Sequence, residues 1–329
     1  MGNNYAIGVD FGGTKVIAAV VNTETGKVKG EFKIATSAFD TGDALMERIY
    51  EVVDGALNDA KLKATDCKGI GVGIAGQVDA ERGLLIGTAN LSRSVVELPM
   101  AKLLKDRYKI PAVLRNDVQI AAAGEYRFGA GKGCDDFLCI FIGTGIGGAI
   151  VKNGEILPGA AGNAGEIGHT TIVADGRVCG CGGRGHLEAY SSRTAMTRTI
   201  LGELRRGRTS VVTELIPDLD PMDASAAIKS GVLRKAVKSK DDVVTETVRD
   251  AGKYLGYGIA NMVNFVNPKR IVLGGGVIDS VDLLFKTAEK WTRKESLPYA
   301  GQQVEIVKAS LGDYSGVVGA AVIAAEQAR

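Results

Sequence analysis

Tyr5-Ala6-Ile7-Gly8-Val9-Asp10-Phe11-Gly12-Gly13-Thr14-Lys15-Val16-Ile17-Ala18-Ala19-Val20-Val21 is the stretch that decides the fold class. Residues 5–9 and 15–21 are apolar and rich in β-branched side chains, and a glycine-bearing turn separates them, which predicts two strands around a tight connection. The pattern returns later in the chain. Residues 137–142 are apolar, Gly143-Thr144-Gly145 turns, and residues 146–151 run back as a strand. This weak internal repeat places one hairpin at the head of each half.

Outward from these hairpins, helical and strand signals alternate. Leu45, Ile49, Val52, Val53 and Leu57 recur at helical spacing within residues 44–62. Short strands are predicted at 69–75 and 112–114, the second running into Arg115-Asn116-Asp117. A helix is predicted over 118–128, stopped by Gly129, and another over 187–204. Residues 205–220 are polar and contain Pro217, which reads as a loop. A long helix spans 243–266 and is closed by Asn267-Pro268; the strand 270–273 leads into Gly274-Gly275-Gly276. The last segment, 317–328, is small and apolar and is expected to pack against the first lobe. The expected organisation is an N-terminal lobe at 1–117, a larger lobe at 118–316 and a C-terminal helix at 317–329 returning to the first.

A chain of 329 residues fits two lobes. Forty Lys and Arg against 38 Asp and Glu give a net charge of +2, too balanced for a nucleic-acid footprint or an anionic membrane surface. Glycine, at 45 residues, is about twice its average usage, which implies many tight turns and close backbone approaches. No basic, then apolar leader opens the chain and no uncharged run is long enough for a bilayer, so a cytoplasmic protein is expected. Ala6 weakens a myristoylation reading of the Met-Gly start, and Asn90-Leu91-Ser92 matters as a glycosylation pattern only in a secreted chain. Five cysteines without export signals point to metal or free thiols rather than disulfides.

Asp10-Phe11-Gly12-Gly13-Thr14-Lys15 has the parts of a phosphate-binding turn. Glycines let backbone N–H groups approach phosphate oxygens, Thr14 offers a hydroxyl, and Asp10 can hold the water shell of Mg²⁺. A P-loop would open a helix, whereas a strand follows here. Gly143-Thr144-Gly145-Ile146-Gly147-Gly148 brushes against a dinucleotide fingerprint, but a strand follows it too. Either cluster alone reads equally well as a hairpin turn. Two of them, with Gly274-Gly275-Gly276 after a third strand, favour a nucleotide.

Asn116-Asp117 lies where a strand gives way to a helix. Asp117 there is either a helix N-cap or the acceptor of a proton from an attacking hydroxyl in phosphoryl transfer. Glu166 and His169, in Gly165-Glu166-Ile167-Gly168-His169, and Glu188 add polar groups suited to sugar hydroxyls. The only two histidines, His169 and His186, flank Cys179 and Cys181. Four N/S ligands in one glycine-rich segment match a closed, structural zinc site. Cys67, Cys134 and Cys139 lie in apolar or turn contexts and read as core or free thiols.

In combination these motifs resemble the ROK family (repressor, open reading frame, kinase), nearly end to end. The resemblance rests on Asp10-Phe11-Gly12-Gly13-Thr14-Lys15, Asn116-Asp117, Gly143-Thr144-Gly145-Ile146-Gly147-Gly148, Gly165-Glu166-Ile167-Gly168-His169, Cys179-Gly180-Cys181-Gly182 and Leu187-Glu188. It implies the actin/hexokinase-like (ribonuclease H-like) duplicated α/β fold, two lobes with a cleft between them, and usually a homodimer. It implies a kinase using MgATP on a hexose, most often glucose at the 6-hydroxyl, with Asp117 as general base. It implies sugar contacts from Asn116, Asp117, Glu166, His169 and Glu188, with Gly76 and Asn90 in supporting positions. The nucleotide would meet Asp10, Gly12, Gly13, Thr14, Lys15, Gly143, Thr144, Gly145, Gly274, Gly275 and Gly276. His169 would then serve both zinc and sugar. The chain departs from the family pattern at His186, where a third cysteine is usual, and lacks a tryptophan near Asn90-Leu91-Ser92-Arg93. Fructose, mannose, N-acetylmannosamine and N-acetylglucosamine remain open as substrates. The family's repressors carry a helix-turn-helix ahead of the first lobe; with Asp10 so early and the kinase residues intact, neither a repressor nor an inactive sugar-binding scaffold is expected.

Overall fold

A computed structural model describes residues 4–36, 41–87 and 97–328. In chain order the strands are β1 (Tyr5–Phe11), β2 (Lys15–Asn22), β3 (Val28–Ala35), β4 (Cys67–Ile74), β5 (Gln77–Asp79), β6 (Leu84–Gly87), β7 (Ala112–Asn116), β8 (Phe137–Ile142), β9 (Ile146–Lys152), β10 (Glu155–Ile156), β11 (Arg270–Gly274) and β12 (Glu305–Lys308). The helices are α1 (Gly42–Ala60), α2 (Met100–Tyr108), α3 (Asp117–Phe128), α4 (Glu188–Ser191), α5 (Arg193–Arg205), α6 (Val212–Leu215), α7 (Ser230–Lys238), α8 (Asp242–Val266), α9 (Gly276–Ser280), α10 (Asp282–Glu295), α11 (Pro298–Gln303) and α12 (Ser315–Gln327). The chain divides into two units. The first is Met1–Asp135, Ala149–Ala164 and Ala309–Arg329; the second is Asp136–Gly148 and Gly165–Lys308.

The first unit is built on a sheet of order β3-β2-β1-β4-β7. β1 and β2 are antiparallel, while β4 and β7 run parallel to β1. Alternation along β1 sorts its side chains to two faces. Ile7, Val9 and Phe11 join Leu45, Ile49, Val52 and Val53 of α1 in one buried cluster. Ala6 points the other way, against Val317 and Ala321 of α12. On that second face glycine replaces bulk. A Cβ at Gly8 would collide with the Val317 carbonyl oxygen, and one at Gly71 with that of Ala320, so α12 lies directly on the sheet. α1 forms because Thr41 caps it, accepting from the Ala44 N–H at 3.2 Å, and it stops at Lys61 in the left-handed region (φ 55°).

The second unit repeats the theme. β8, β11 and β12 lie side by side and parallel. β8 turns at Gly143-Thr144-Gly145, where the Gly143 N–H donates to the Gly145 carbonyl at 2.9 Å, into β9. The long α8 is capped by Asp241, which accepts from the Val244 N–H at 2.9 Å, and ends at Asn267 (φ 50°) before Pro268. α10 packs along it where Gly252 and Gly256 leave room for Thr287 and Trp291.

The expected helix over 187–204 is two helices. The chain breaks at Ser192, which leaves α4 in extended backbone and caps α5 by accepting from the Ala195 N–H at 3.1 Å. The expected loop over 205–220 contains the single turn α6. Cys67, Cys134 and Cys139 are buried and are not in disulfides. No helix among the described residues is long and apolar enough to cross a membrane.

Candidate active site

Parallel register brings the first unit's candidate residues together. Phe11 pairs with Ile74, and Ile74 with Asn116, so β1, β4 and β7 end level with one another. The turn after β1, Gly76 after β4 and Asp117 after β7 thus share one edge of the sheet, the carboxyl edge at which α/β sheets bind ligands. Gly76 accepts from Asn116 Nδ2 at 3.4 Å. Asn116, rather than Asp117, is the N-cap of α3. Its Oδ1 accepts from the Val118 N–H at 2.9 Å, a donor shared with Asp117 Oδ1 at 3.0 Å. Asp117 is therefore the first helical residue, presented at a helix start where negative charge is favoured.

The glycine turn is braced by Thr36, whose hydroxyl donates to the Gly12 carbonyl at 2.8 Å and whose N–H donates to Thr14 at 3.1 Å. Lys15 Nζ pairs with Asp313 Oδ2 at 2.6 Å. Asp10, at the end of β1, has its pKa raised to about 7, chiefly by burial and then by the charge of Asp117; Lys15 opposes the shift. A carboxylate held so far above its ordinary range is suited to a nearby cation, whose charge would restore the ionised form.

In the second unit, register again brings glycines together. Phe141 pairs with Gly274, so the turn after β8 and Gly274-Gly275-Gly276 after β11 are neighbours. Gly275 has φ +92°, and a Cβ there would sit 2.5 Å from the Ile142 carbonyl oxygen; only glycine suits both conditions. Glu188 Oε2 accepts from the Ile146 N–H at 2.9 Å, directly after the Gly143-Thr144-Gly145 turn. Arg193 closes on the same turn. Its Nη2 donates to Thr144 Oγ1 at 2.7 Å and its N–H to the Gly143 carbonyl at 2.9 Å. Burial pushes the pKa of Glu166 up, with the nearby His169 opposing and Glu188 adding to the shift, so these three groups share one electrostatic neighbourhood.

His169, Cys179, Cys181 and His186 converge. One ligand atom from each lies within 4.8 Å of all the others. Cys179 Sγ is 3.8 Å from His169 Nδ1, and Cys181 Sγ is 3.2 Å from His186 Nδ1. Tetrahedral coordination at about 2.0–2.3 Å per ligand puts ligand atoms roughly 3.3–3.8 Å apart; these two pairs are near that spacing, and small side-chain shifts would bring the whole set, within 4.8 Å, onto one metal ion. The segment wraps through two isolated bridges, Thr171 to His186 and Val178 to Arg184. A Cβ at Gly183 would collide with the His186 ring. The cluster also lies against the sugar-binding candidates, with Cys179 Sγ 3.6 Å from Glu188 Oε1.

Of the residues singled out in the sequence, Asp10, Gly12, Gly13, Thr14, Lys15, Gly76, Asn116 and Asp117 gather in the first unit. Gly143, Thr144, Gly145, Glu166, His169, Glu188 and the metal set gather in the second, with Gly274, Gly275 and Gly276 beside the turn. Asn90 lies outside the described residues. Two participants have no motif. Arg193 was hidden inside an expected helix, where only Ser192 as a cap could have drawn attention to it. Asp313 is 298 residues beyond its partner Lys15 and carries no local signal.

Comparison with known proteins adds a third line. The ROK family model matches residues 6–327. A glucokinase of Halalkalibacterium halodurans is 33% identical, over 99% of this chain and 97% of its own length. A putative xylose repressor of Caldicellulosiruptor is 29% identical over 95% of this chain and 76% of its own. In structure, a ROK family glucokinase of Streptomyces griseus, solved in complex with glucose and AMPPNP, superposes with TM-score 0.84 at 32% identity, covering 98% of this chain and 99% of the other. The fold is therefore the actin/hexokinase-like one, and the chain belongs to the ROK family.

Proposed function

We propose that the protein is an ATP-dependent hexose kinase that phosphorylates the 6-hydroxyl, with glucose as the first substrate. The observation that carries this is Asp117, set at the start of α3 on the same sheet edge as the glycine turn after β1, in a chain whose full-length relatives include glucokinases.

Asp117 accepts the proton of the sugar hydroxyl. The hydroxyl oxygen attacks the γ-phosphorus, the bond from that phosphorus to the bridging oxygen breaks, and ADP leaves. Asn116, Glu166, His169, Glu188, Gly76 and Asn90 are assigned to the sugar. The glycine turns after β1, β8 and β11 are assigned to the nucleotide, with Thr14, Thr144 and Lys15 as polar contacts. Mg²⁺ accompanying ATP would neutralise charge on the phosphates, and Asp10 is the residue that would hold its water shell. Zinc is the ion we assign to the Cys₂His₂ set, with a structural role: it would fix the ring of His169 and the segment leading to Glu188. A cytoplasmic homodimer is the assembly we assign from the family, with no nucleic-acid or membrane partner.

ADP release measured across a panel of hexoses tests this reading. Turnover with glucose supports it, and turnover with another hexose corrects the sugar alone. Sugar binding without turnover on any hexose would replace the kinase by a regulator, in keeping with relatives named as xylose repressors.

A further inference from the structure

Glu125 is fully buried in α3, two turns beyond Asp117, and takes no part in the chemistry above. Its carboxylate accepts five hydrogen bonds. On Oε2 these come from the Ala130 N–H (2.7 Å), the Ser310 N–H (3.1 Å) and the Ser310 hydroxyl (3.4 Å). On Oε1 they come from the Leu311 N–H (3.0 Å) and the Ser315 hydroxyl (2.7 Å). Among the described residues no cation pairs with it, so hydrogen-bond donors alone answer a buried acid. The space is made for it: a Cβ at Gly129 would collide with Oε2.

The segment Glu125 holds runs straight to the glycine turn after β1. Asp313 within it pairs with Lys15. Gly316, one residue past Ser315, faces Asp10 so closely that a Cβ there would collide with Oδ2. Glu125 thus ties the helix that begins at Asp117 to the segment that confines Asp10 and Lys15. The Lys15–Asp313 pair is exposed and worth little alone. What the buried carboxylate supplies is the path of the backbone from Ser310 to Gly316.

We propose that Glu125 is a positioning residue for the nucleotide-phosphate turn, acting through the segment 310–316. This rests on the assignment of the Asp10–Lys15 turn to ATP. A misplacement on the order of 1 Å can cost about a hundredfold in a catalytic step, so a partial loosening is expected to raise the KM for MgATP roughly tenfold.

The test compares wild type with Glu125→Gln and Ser315→Ala. Glu125→Gln keeps the volume but turns an acceptor into a donor facing donors, and Ser315→Ala removes one donor and is the milder change. Expected are a raised KM for MgATP with the sugar KM unchanged, graded Glu125→Gln above Ser315→Ala. Faster amide exchange is expected at 10–15 and 310–316, but not in α1. The exchange measurement needs no substrate, so it separates this inference from the kinase reading, which wild-type turnover tests alone. Unchanged exchange at 10–15 in a folded Glu125→Gln or Ser315→Ala protein would overturn the inference. So would equal rises in both KM values, which would mark a merely structural role.

Discussion

Glu188 Oε2 accepts the backbone N–H of Ile146 at 2.9 Å, while its Oε1 lies 3.6 Å from Cys179 Sγ. One carboxylate thereby holds the turn after β8 while lying against the metal-ligand segment. A Cβ at Gly145 would collide with Oε2, so the turn is shaped around this group. Glu188→Ala leaves the Ile146 N–H without its acceptor, at a cost of about 1–3 kcal/mol if water does not reach it. Glu188→Gln keeps an acceptor oxygen. Thermal melts should therefore rank wild type, Glu188→Gln, Glu188→Ala in falling order, and the alanine variant should raise the KM for both sugar and ATP. An alanine variant with wild-type melting and kinetics would remove Glu188 from this role.

Arg193 donates to Thr144 Oγ1 at 2.7 Å, which occupies an acceptor site and leaves the threonine hydroxyl proton to be offered elsewhere. Losing a hydrogen bond from a charged donor costs about 1.5–3 kcal/mol, and this one is partly exposed, so Arg193→Ala should raise the KM for MgATP about three- to tenfold. The sugar KM should not move. Arg193→Lys should recover only part of the loss, because a point charge does not reproduce the planar fork. Steady-state kinetics varying each substrate in turn would check it.

The metal set makes a prediction of stoichiometry. Elemental analysis should find about one zinc per chain, as expected for a closed four-ligand site. Without a metal, burial pushes the Cys179 thiol up to about 11, so binding must displace its proton and should weaken as pH falls. Chelation at mildly acidic pH should expose residues 170–187 to protease before the rest of the second unit. Protease resistance unchanged after complete metal removal would contradict a structural role.

Asp10 predicts a stability effect whose sign is fixed. Its pKa in the folded chain is raised to about 7 from an ordinary 3.8. The folded state thus binds the proton more tightly than the unfolded one. The favourable contribution of the protonated acid is fully present below about 4 and is lost as pH rises through about 7. In the absence of nucleotide and Mg²⁺, Asp10→Asn should melt higher than wild type above pH 7, and the gap should close as pH falls toward 4. A gap independent of pH across that window would mean that the carboxyl titrates normally.

The helix at α1, the paired hairpins and the long α8 could be read from residues because their periodicity is strong and their ends carry turn chemistry. β3 could not: Val28–Ala35 carries charges on an edge strand, which blurs the alternation. α10 escaped for a different reason. Its buried positions, Leu284, Ala288 and Thr292, do recur at helical spacing, but they are few and two of the three are small or polar, because Gly252 and Gly256 of α8 let the two helices approach closely. β12 is a four-residue edge strand that only its parallel partner β11 defines. The site divides in the same way. Asp117, the glycine turns and the Cys/His set are local motifs with a chemical signature. Glu125, Arg193 and Asp313 act through tertiary contacts that no spacing in the chain encodes.

The most direct test of the account is the turnover of Asp117→Asn beside its affinity for glucose. The substitution keeps the side chain's size and the Asn116 cap but removes the proton acceptor. Turnover should fall by at least about a hundredfold, the least expected from a general base, while calorimetry shows glucose binding within a few-fold of wild type. Turnover within a few-fold of wild type, in protein that binds glucose normally, would contradict the assignment of Asp117 as the base.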